Sequence, residues 1–357
     1  MAPLPRVALA AGHLALERQR QPWQVAAADY HAVPNAARAT FARLLGAPAH
    51  DVALVPAIST GMAIAAALLP VRAGQQVLVL EAEYPSAVLA WRERCRAVGA
   101  DFTVIPRPAD GDWTAAVLAR IDARTAVAAL PHVHWLDGGV LDLATIRAAL
   151  DAVGGALAVD AIQSLGVVPL DVAVVRPDVV ACGCVKWLLG PTSTGFAYVA
   201  PRWQDGTPLE HGWLARAGSE AWGQPVRWAE GFQPGALRFD MGQSSNFTLW
   251  PVAQASVELL LGWGIDAVAA RLGALTAELA DAAAAAGLRR TVATPRAPHY
   301  LCLDLPPGAP PDLTARLAAR GVQVSVRNRT VLRVTPHVHV TARDVARFAE
   351  ALPAALR

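Results

Sequence analysis

Lysine usage is the first feature of this sequence that points to chemistry. Of its 31 basic Lys and Arg residues, a single one is lysine, Lys186. In a chain so rich in Ala, Arg, Gly and Pro, this count indicates a coding bias that favours arginine over lysine wherever either residue serves. A guanidinium with a pKa above about 12 is no nucleophile at neutral pH, whereas an amine with a lowered pKa is one. Lys186 is therefore the first candidate for covalent catalysis.

Polar residues at predicted strand ends surround this lysine in the sequence. Asp160 follows the apolar run 156–159, Gln163 comes three residues later, and Lys186 follows the next apolar run. Ser59 and Thr60 open a predicted helix after the short strand 52–56. Pyridoxal phosphate needs such a set: an amine for the imine, a carboxylate for the pyridine nitrogen and a helix N-terminus for the phosphate.

Other common classes find little support in the sequence. Lys186 is not part of a Gly-x-x-x-x-Gly-Lys loop, and no Gly-x-Gly-x-x-Gly stands at a strand-to-helix junction. The net charge of +2 comes without a basic block, so we expect no nucleic-acid partner. Apolar runs are too short to cross a membrane, and the first twenty residues lack a secretory pattern, so we expect a cytoplasmic protein.

Alternating apolar runs and amphipathic stretches between residues 52 and 199 predict the elements that position these residues. Strands are expected at Gln76–Leu80, 102–105, 125–130, 156–159, 178–181 and Gly195–Val199, with helices between them. This pattern is typical of an α/β fold with a mostly parallel central sheet and helices on both faces. Ligands bind such sheets at the carboxyl ends of the strands, where the polar residues stand.

The rest of the chain predicts a second, smaller domain. Residues 201–243 are rich in Gly, Trp and Pro and have the character of a long functional loop. Long helices are expected at Leu249–Trp263 and 265–286, followed by strands at 300–303, 322–326 and 330–334 and a helix at 342–352. We therefore predict a large domain at 20–248 and a small C-terminal α+β domain at 249–357, with residues 1–19 as an N-terminal arm.

Several motifs together resemble a known family. The sequence is similar to the class V aminotransferases of fold-type I pyridoxal-phosphate enzymes, which include cysteine desulfurases, kynureninase, isopenicillin-epimerase-like proteins and C–S lyases. The matching stretches are Glu83-Tyr84-Pro85-Ser86, Val159-Asp160 through Gly166, Lys186-Trp187 through Val199, Arg238-Phe239-Asp240-Met241-Gly242 and Leu332-Arg333-Val334-Thr335-Pro336-His337.

The resemblance implies a role for each matching residue. Lys186 would hold pyridoxal 5'-phosphate as a Schiff base and shuttle protons. The other cofactor contacts would be Asp160 at the pyridine nitrogen, Gln163 at the phenolic oxygen, Ser59 and Thr60 at the phosphate, and Tyr84 stacked on the ring. On the substrate side, Arg333 would clamp a carboxylate, with His134 and Trp135 lining the pocket. Gly242 and Gln243 would reach the phosphate site of a second subunit, which implies a homodimer.

Departures from the family pattern narrow the expected function. Gly183 and Val185 stand where the family has Ser or Thr and then His, and the family's Asn near the end of the third strand is replaced within residues 133–138. No cysteine lies in 320–333, near which desulfurases carry their attacking thiol, so a cysteine desulfurase is disfavoured.

The expected activity is transamination of an amino acid, with other reactions left open. Elimination or C–S cleavage and epimerisation begin with the same residues, and fold analogy does not separate them. A metal-dependent hydrolase could use the pairs His132-x-His134 and His337-x-His339, although we expect no metal site. A non-catalytic relative that keeps the fold as a binding scaffold is the remaining alternative.

Overall fold

A computed structural model describes residues 2–221 and 230–357. Its centre is a seven-stranded sheet in the order β1-β7-β6-β5-β4-β2-β3. The pairs β3–β2, β2–β4, β4–β5 and β5–β6 are parallel, and β7 runs antiparallel to both β6 and β1. The strands are β1 Val52–Val55, β2 Gln76–Leu80, β3 Asp101–Ile105, β4 Thr125–Pro131, β5 Ala156–Asp160, β6 Val179–Gly183 and β7 Gly195–Val199.

Helices cover both faces of this sheet. Along β2, Leu78 and Leu80 join the core under the second helix, whereas Val77 and Val79 pack with Trp91 of the fourth. This alternation buries both faces, as the predicted parallel sheet requires. The helices in this part are α1 Arg6–Gln19, α2 Asp29–Leu45, α3 Ile58–Leu68, α4 Pro85–Val98, α5 Trp113–Leu118, α6 Leu143–Val153, α7 Val172–Val175 and α8 Leu249–Trp263.

A second sheet lies in the C-terminal part. Four antiparallel strands are ordered β10-β11-β9-β8, and helices cover them around a separate apolar core that includes Leu279, Leu303 and Phe348. The elements are α9 Ile265–Ala285, β8 Arg289–Arg290, β9 Leu301–Asp304, α10 Leu313–Ala318, β10 Ser325–Arg327, β11 Val331–Val334 and α11 Ala342–Leu356. The fold class expected from the sequence, a mostly parallel sheet with a smaller α+β part, is confirmed.

The division between the parts is less simple than the domain prediction. Trp250 and Leu260 of α8 belong to the core of the large sheet, and the second core begins at Leu279 of α9. Helix α1, within the predicted arm, packs against α8. The core of the large sheet continues past residue 248 into α8. The structure therefore shows no division at this point, and the boundary at 248/249 stays a prediction.

Two close backbone approaches bring the site elements together. A Cβ on Gly61 of α3 would lie 2.5 Å from the Cβ of Ala181 on β6. A Cβ on Gly166, whose φ is +96°, would lie 2.5 Å from the carbonyl oxygen of Trp187. Glycine at these positions lets α3 and the loop after Asp160 press against the lysine-bearing segment.

The segment 201–243 contains short 3-10 turns at Pro201–Trp203, Trp213–Ala215 and Gly235–Phe239, while residues 222–229 lie outside the described part. Asp240 anchors its end: both carboxylate oxygens accept from buried Arg38 of α2, at 3.0 and 2.6 Å. Asp240 Oδ1 also accepts from the backbone N–H of Leu54 on β1, at 2.8 Å. In the described residues no single helix is long and apolar enough to span a membrane; α8 and α9 pass that test only as a pair bent by 80°.

Candidate active site

The carboxyl ends of three adjacent parallel strands define the candidate site. Asp160, the last residue of β5, pairs with Pro131 of β4 and Ala181 of β6. Backbone pairing continues past the strand ends, because the N–H of His132 donates to the carbonyl oxygen of Asp160 at 3.0 Å. Lys186 follows β6 by three residues. The sequence-predicted aspartate and lysine therefore leave one edge of the sheet side by side.

Lys186 has the electrostatic surroundings of a reactive amine. Burial lowers the pKa of its amine, and the positive charge of Arg333 lowers it further. The negative charges of Asp160 and Glu83 act in the opposite direction, but the net direction is downward. A desolvated lysine with a lowered pKa holds more of the neutral amine that attacks a carbonyl.

Asp160 is a buried carboxyl that is suited to pair with a cation. Burial raises its pKa to about 6, against the hydrogen bond from Ile162 N–H to Oδ1 at 2.9 Å and the charge of Lys186. A buried carboxylate is costly unless a cation pairs with it. A protonated pyridine nitrogen would supply that charge, so this residue fits the role that the sequence predicts.

The predicted phosphate residues occupy the first turn of α3. Ala57 is the N-cap with extended backbone, and Ser59 and Thr60 follow within the turn. Ile58 at the helix start belongs to a small buried cluster with Ala181 of β6, and Ile162 packs against it. The N-terminus of α3, with the positive end of its dipole, therefore lies beside the Asp160 loop, where an anion is favoured.

Aromatic rings and a guanidinium form one wall. The Lys186 amine lies 5.5 Å from the Tyr84 ring centroid, and Trp135 stands edge-on to that ring with centroids 5.7 Å apart. Arg333 donates through Nη1 to the carbonyl oxygen of Trp135 at 2.8 Å, and its buried Nε has no hydrogen-bond partner among the described residues. Arg333 and Lys186 both line a cavity of about 460 Å³. The predicted carboxylate clamp thus faces the same space as the lysine.

Gln163 is the third predicted site residue that lines this cavity, after Lys186 and Arg333. Gln243 and His134 are among the predicted residues that do not line it. Gln243 is exposed on the segment after Asp240. His134 is fully buried: its Nδ1 lies 3.1 Å from Asp137 Oδ1, and its Nε2 lies 3.3 Å from the carbonyl oxygen of Glu81. Burial opposes protonation of His134, but Asp137 and Glu83 together raise its pKa. Because His134 has no exposed surface, its ring contacts Asp137 and the main chain of Glu81 and does not line the pocket as expected.

Sequence reasoning missed Glu83 as a functional candidate. Burial raises its pKa to about 7, against the positive charges of His134 and Lys186. Oε1 accepts from the N–H of Tyr84 at 2.6 Å, and Oε2 is enclosed with no hydrogen-bond partner in the part of the chain that the structure describes. Its place directly before Tyr84 was the available signal, but an acidic residue after an exposed turn suggests a solvated carboxyl.

The start of the chain contributes a wall that the sequence did not suggest. Ala2 and Pro3 line the cavity beside Lys186, and the N–H of Ala2 donates to the carbonyl oxygen of Val185 at 3.2 Å. Tyr300, which is 2 % exposed, forms the floor near Arg333 with 6.0 Å between guanidinium carbon and ring centroid. None of these three lining residues carries a local sequence signal.

The histidine pairs do not assemble into a metal centre in the described ranges. His132 is buried and apart from the Asp137 network of His134, and His337 stacks on Trp187 with centroids 5.5 Å apart. Within residues 2–221 and 230–357, no group of three or more His, Cys, Asp and Glu side chains is arranged to hold a metal ion. The metal-hydrolase alternative has no ligand set in this part of the chain.

An amine of lowered pKa, a buried carboxyl, a helix N-terminus and an exposed aromatic ring at one sheet edge suit a planar phosphorylated aldehyde. This fold and this site together define a fold-type I pyridoxal-phosphate enzyme. The chain belongs to the class-V aminotransferase family, whose model matches residues 19–349. Pyridoxal 5'-phosphate is its cofactor.

Known relatives carry several activities. The chain is 27 % identical to the uncharacterized aminotransferase YcbU of Bacillus subtilis over 312 residues, 87 % of this chain and 80 % of that protein. It is 28 % identical to the isopenicillin N epimerase of Streptomyces clavuligerus, with 99 % of this chain and 92 % of the relative covered. Kynureninase of Deinococcus radiodurans is 31 % identical over 63 % of this chain and 53 % of that one.

Solved structures agree on the fold. The cystine C–S lyase C-DES superposes with a TM-score of 0.87 at 20 % identity, covering 98 % of this chain and 94 % of that one. The cysteine desulfurase CsdA of Escherichia coli has a TM-score of 0.83 at 20 % identity, with 99 % and 92 % covered. The family and fold expected from the sequence motifs are confirmed, while the reaction is left to the chemistry of the site.

Proposed function

We propose that this protein is a homodimeric, cytoplasmic aminotransferase that acts on an amino acid through Lys186. The observation that carries the proposal is the shared cavity of Lys186 and Arg333. An amine of lowered pKa and a guanidinium whose Nε has no partner within residues 2–221 and 230–357 face one space. This arrangement is complementary to an α-amino acid, whose carboxylate would bind Arg333 while its α-carbon lies near Lys186.

When bound, pyridoxal phosphate supplies an electron sink for the bonds at the substrate α-carbon. Asp160 would hold the charge that keeps the pyridine nitrogen protonated, Ser59 and Thr60 would bind the phosphate, and Gln163 would donate to the phenolic oxygen. The amine of Lys186 would accept the α-proton of the substrate and return it. Its lowered pKa suits this task, since the neutral amine is the base.

The cysteines argue against a desulfurase. All four cysteines are buried, at positions 95, 182, 184 and 302. Burial raises the pKa of each thiol, to about 12 for Cys184 and Cys302. An attacking thiol must be an accessible thiolate. The predicted absence of desulfurase chemistry is therefore supported by the environment of every cysteine, in addition to their positions.

The segment that ends in Gln243 supports the dimer proposal. Asp240 fixes its base through Arg38 and Leu54, and the N–H of Gly242 donates to Glu210 Oε2 at 2.8 Å. Gln243 itself is exposed. A segment that is held in place at Asp240 and ends in the exposed side chain of Gln243 is suited to reach the phosphate site of a second subunit.

The single lysine permits a sharp test of the covalent step. Borohydride reduction in the presence of pyridoxal phosphate should add one cofactor to the peptide that contains Lys186, and the Lys186→Arg variant should stay unlabelled there. Arginine keeps the charge but cannot act as the nucleophile. A label confined to the amino terminus, or equal labelling of the variant, would overturn the assignment.

Transamination has its own signature in turnover. With a panel of amino acids, we expect stoichiometric keto acid from the enzyme alone and continuous turnover after a keto-acid acceptor is added. Elimination and epimerisation are the second candidates, supported by the similarity to an isopenicillin N epimerase along 99 % of this chain. Ammonia release without an acceptor would favour elimination, and inversion at the α-carbon without keto acid would favour epimerisation.

A further inference from the structure

Trp187, the residue after Lys186, contacts Gln163, one of the proposed cofactor-binding residues. Its indole N–H donates to Gln163 Oε1 at 3.2 Å. The ring is 6 % exposed and contacts two histidines: His299 stands edge-on with centroids 4.1 Å apart, and His337 stacks at 5.5 Å with 20° between planes. Trp187 is therefore packed against two histidine rings while its N–H is aimed at Gln163.

This hydrogen bond determines which way the Gln163 amide faces. An indole N–H only donates, so the atom of Gln163 next to it must be the carbonyl oxygen. The main chain of Gln163 is held as well, because His299 Nε2 donates to its carbonyl oxygen at 2.7 Å. With Oε1 engaged, the NH₂ group is the part of the amide left to donate into the cavity that Gln163 lines.

The hydrogen bond of the neighbouring Trp135 explains why a separate residue must orient the Gln163 amide. Trp135, in the segment where the family has an asparagine, uses its indole N–H on the carbonyl oxygen of Ala82 at 2.7 Å. It therefore gives no N–H to the site. A reversed Gln163 amide would turn an oxygen toward the phenolic oxygen, and the two acceptors would repel.

We propose that Trp187 is a positioning residue that holds the NH₂ group of Gln163 toward the phenolic oxygen of the cofactor. The inference rests on the proposed role of Gln163 there. With the cofactor bound, a donor at the phenolic oxygen would draw negative charge away from that oxygen. The nitrogen of Lys186 would then hold its proton less tightly. Loss of the donor, or of its orientation, then raises the pH at which that proton leaves.

The test is a pH titration of the visible absorption of the holoenzyme. Gln163→Ala should raise the midpoint by about one pH unit, the size of one hydrogen bond to a charged group. Trp187→Phe keeps an aromatic ring in contact with the histidines and removes the N–H, and should raise the midpoint in the same direction by a smaller amount. The double variant should match Gln163→Ala, because Trp187 acts only through Gln163.

Trp250→Phe is the matched control. Trp250 is fully buried and donates its indole N–H to the carbonyl oxygen of Ser244 at 2.6 Å, so its variant loses the same kind of bond away from Gln163. Its midpoint should stay at the wild-type value. A general effect of losing a buried indole hydrogen bond would move both tryptophan variants equally.

The outcomes separate the inference from the function on which it rests. If Gln163→Ala moves the midpoint and Trp187→Phe does not, positioning by Trp187 is overturned and the role of Gln163 survives. If Gln163→Ala has no effect, the placement of Gln163 at the phenolic oxygen fails. Hydrogen exchange of the Trp187 indole proton, measured in wild type and Gln163→Ala, tests the contact without changing Trp187; equal rates would overturn it.

Discussion

The amine of Lys186 lies over the ring of Tyr84, 5.5 Å from its centroid. The ring is 48 % exposed and is held at its edge by Trp135. An exposed aromatic face beside the reactive amine is where a planar pyridine ring would stack. The phenol itself is not needed for such a contact, since the ring face supplies it.

Replacement of Tyr84 separates stacking from hydrogen bonding. We expect Tyr84→Phe to keep the affinity for pyridoxal phosphate within about twofold and Tyr84→Ala to weaken it about tenfold, the worth of one aromatic pair. Titration of the apoprotein with the cofactor, followed by absorbance, measures both constants. Equal weakening by both variants would show that the hydroxyl, and not the ring, makes the contact.

Arg333 and Arg327 provide a matched pair for substrate recognition. Both guanidinium carbons lie 5.7 Å from the Trp135 ring centroid, but Arg333 alone of the two lines the cavity. Arg333→Lys should raise KM for α-amino acids by about 10- to 100-fold, because lysine cannot form the bidentate contact. Arg327→Lys should leave KM near the wild-type value. Steady-state kinetics on the best substrate decides, and equal effects would remove the distinction.

Glu83 should make the stability of the apoprotein depend on pH. Its folded-state pKa of about 7 lies above its ordinary value of 4.5, chiefly because of burial. Between these values the folded chain keeps a proton that the unfolded chain has lost, so the free energy of unfolding falls as pH rises. Glu83→Gln removes this loss and should gain up to about 3 kcal/mol over wild type above pH 7, and nothing near pH 4.5.

Thermal unfolding of both apoproteins from pH 5 to pH 8 measures this difference. His134, Asp160 and Lys186 act on Glu83 and are present in both proteins, so their own titration largely cancels. Glu93→Gln, at an exposed carboxyl on α4, is the control and should follow the wild type. A constant gain at every pH would show that Glu83 is not titrating in this range.

Asp240 should be essential to the fold rather than to the chemistry. Its carboxylate forms two bonds with Arg38, and the two side chains are 9 % and 4 % exposed. Asp240→Asn leaves that guanidinium buried without its counter-charge and should cost about 3–5 kcal/mol. Asp205→Asn, at an exposed carboxylate 3.7 Å from Arg238, should change nothing measurable. Denaturant unfolding of both variants measures these changes. An equal loss of stability in the two variants would contradict the prediction.

Local patterns explain why most of the large sheet was predictable. Each predicted strand lies within two residues of the observed one at either end, because a short apolar run between turn signals is a local property. Strand β10 is the exception: 322–326 was expected, and Ser325–Arg327 is observed. Val322 instead packs into the second core after the α10 turn, and the strand forms where β11 can pair with it. Pairing decided this boundary, and pairing is not local.

Composition, order and motifs in the sequence alone determined the fold class, the family, the cofactor and the neighbouring positions of Asp160 and Lys186, because the ends of adjacent parallel strands must meet. Only the tertiary structure decided that His134 is buried behind Asp137, that the Oε2 atom of Glu83 is enclosed, and that Trp187 aims its N–H at Gln163. These facts depend on distances between segments far apart in the chain. Burial and charge at such meeting points set each pKa and each hydrogen bond, and no local pattern of residues encodes them.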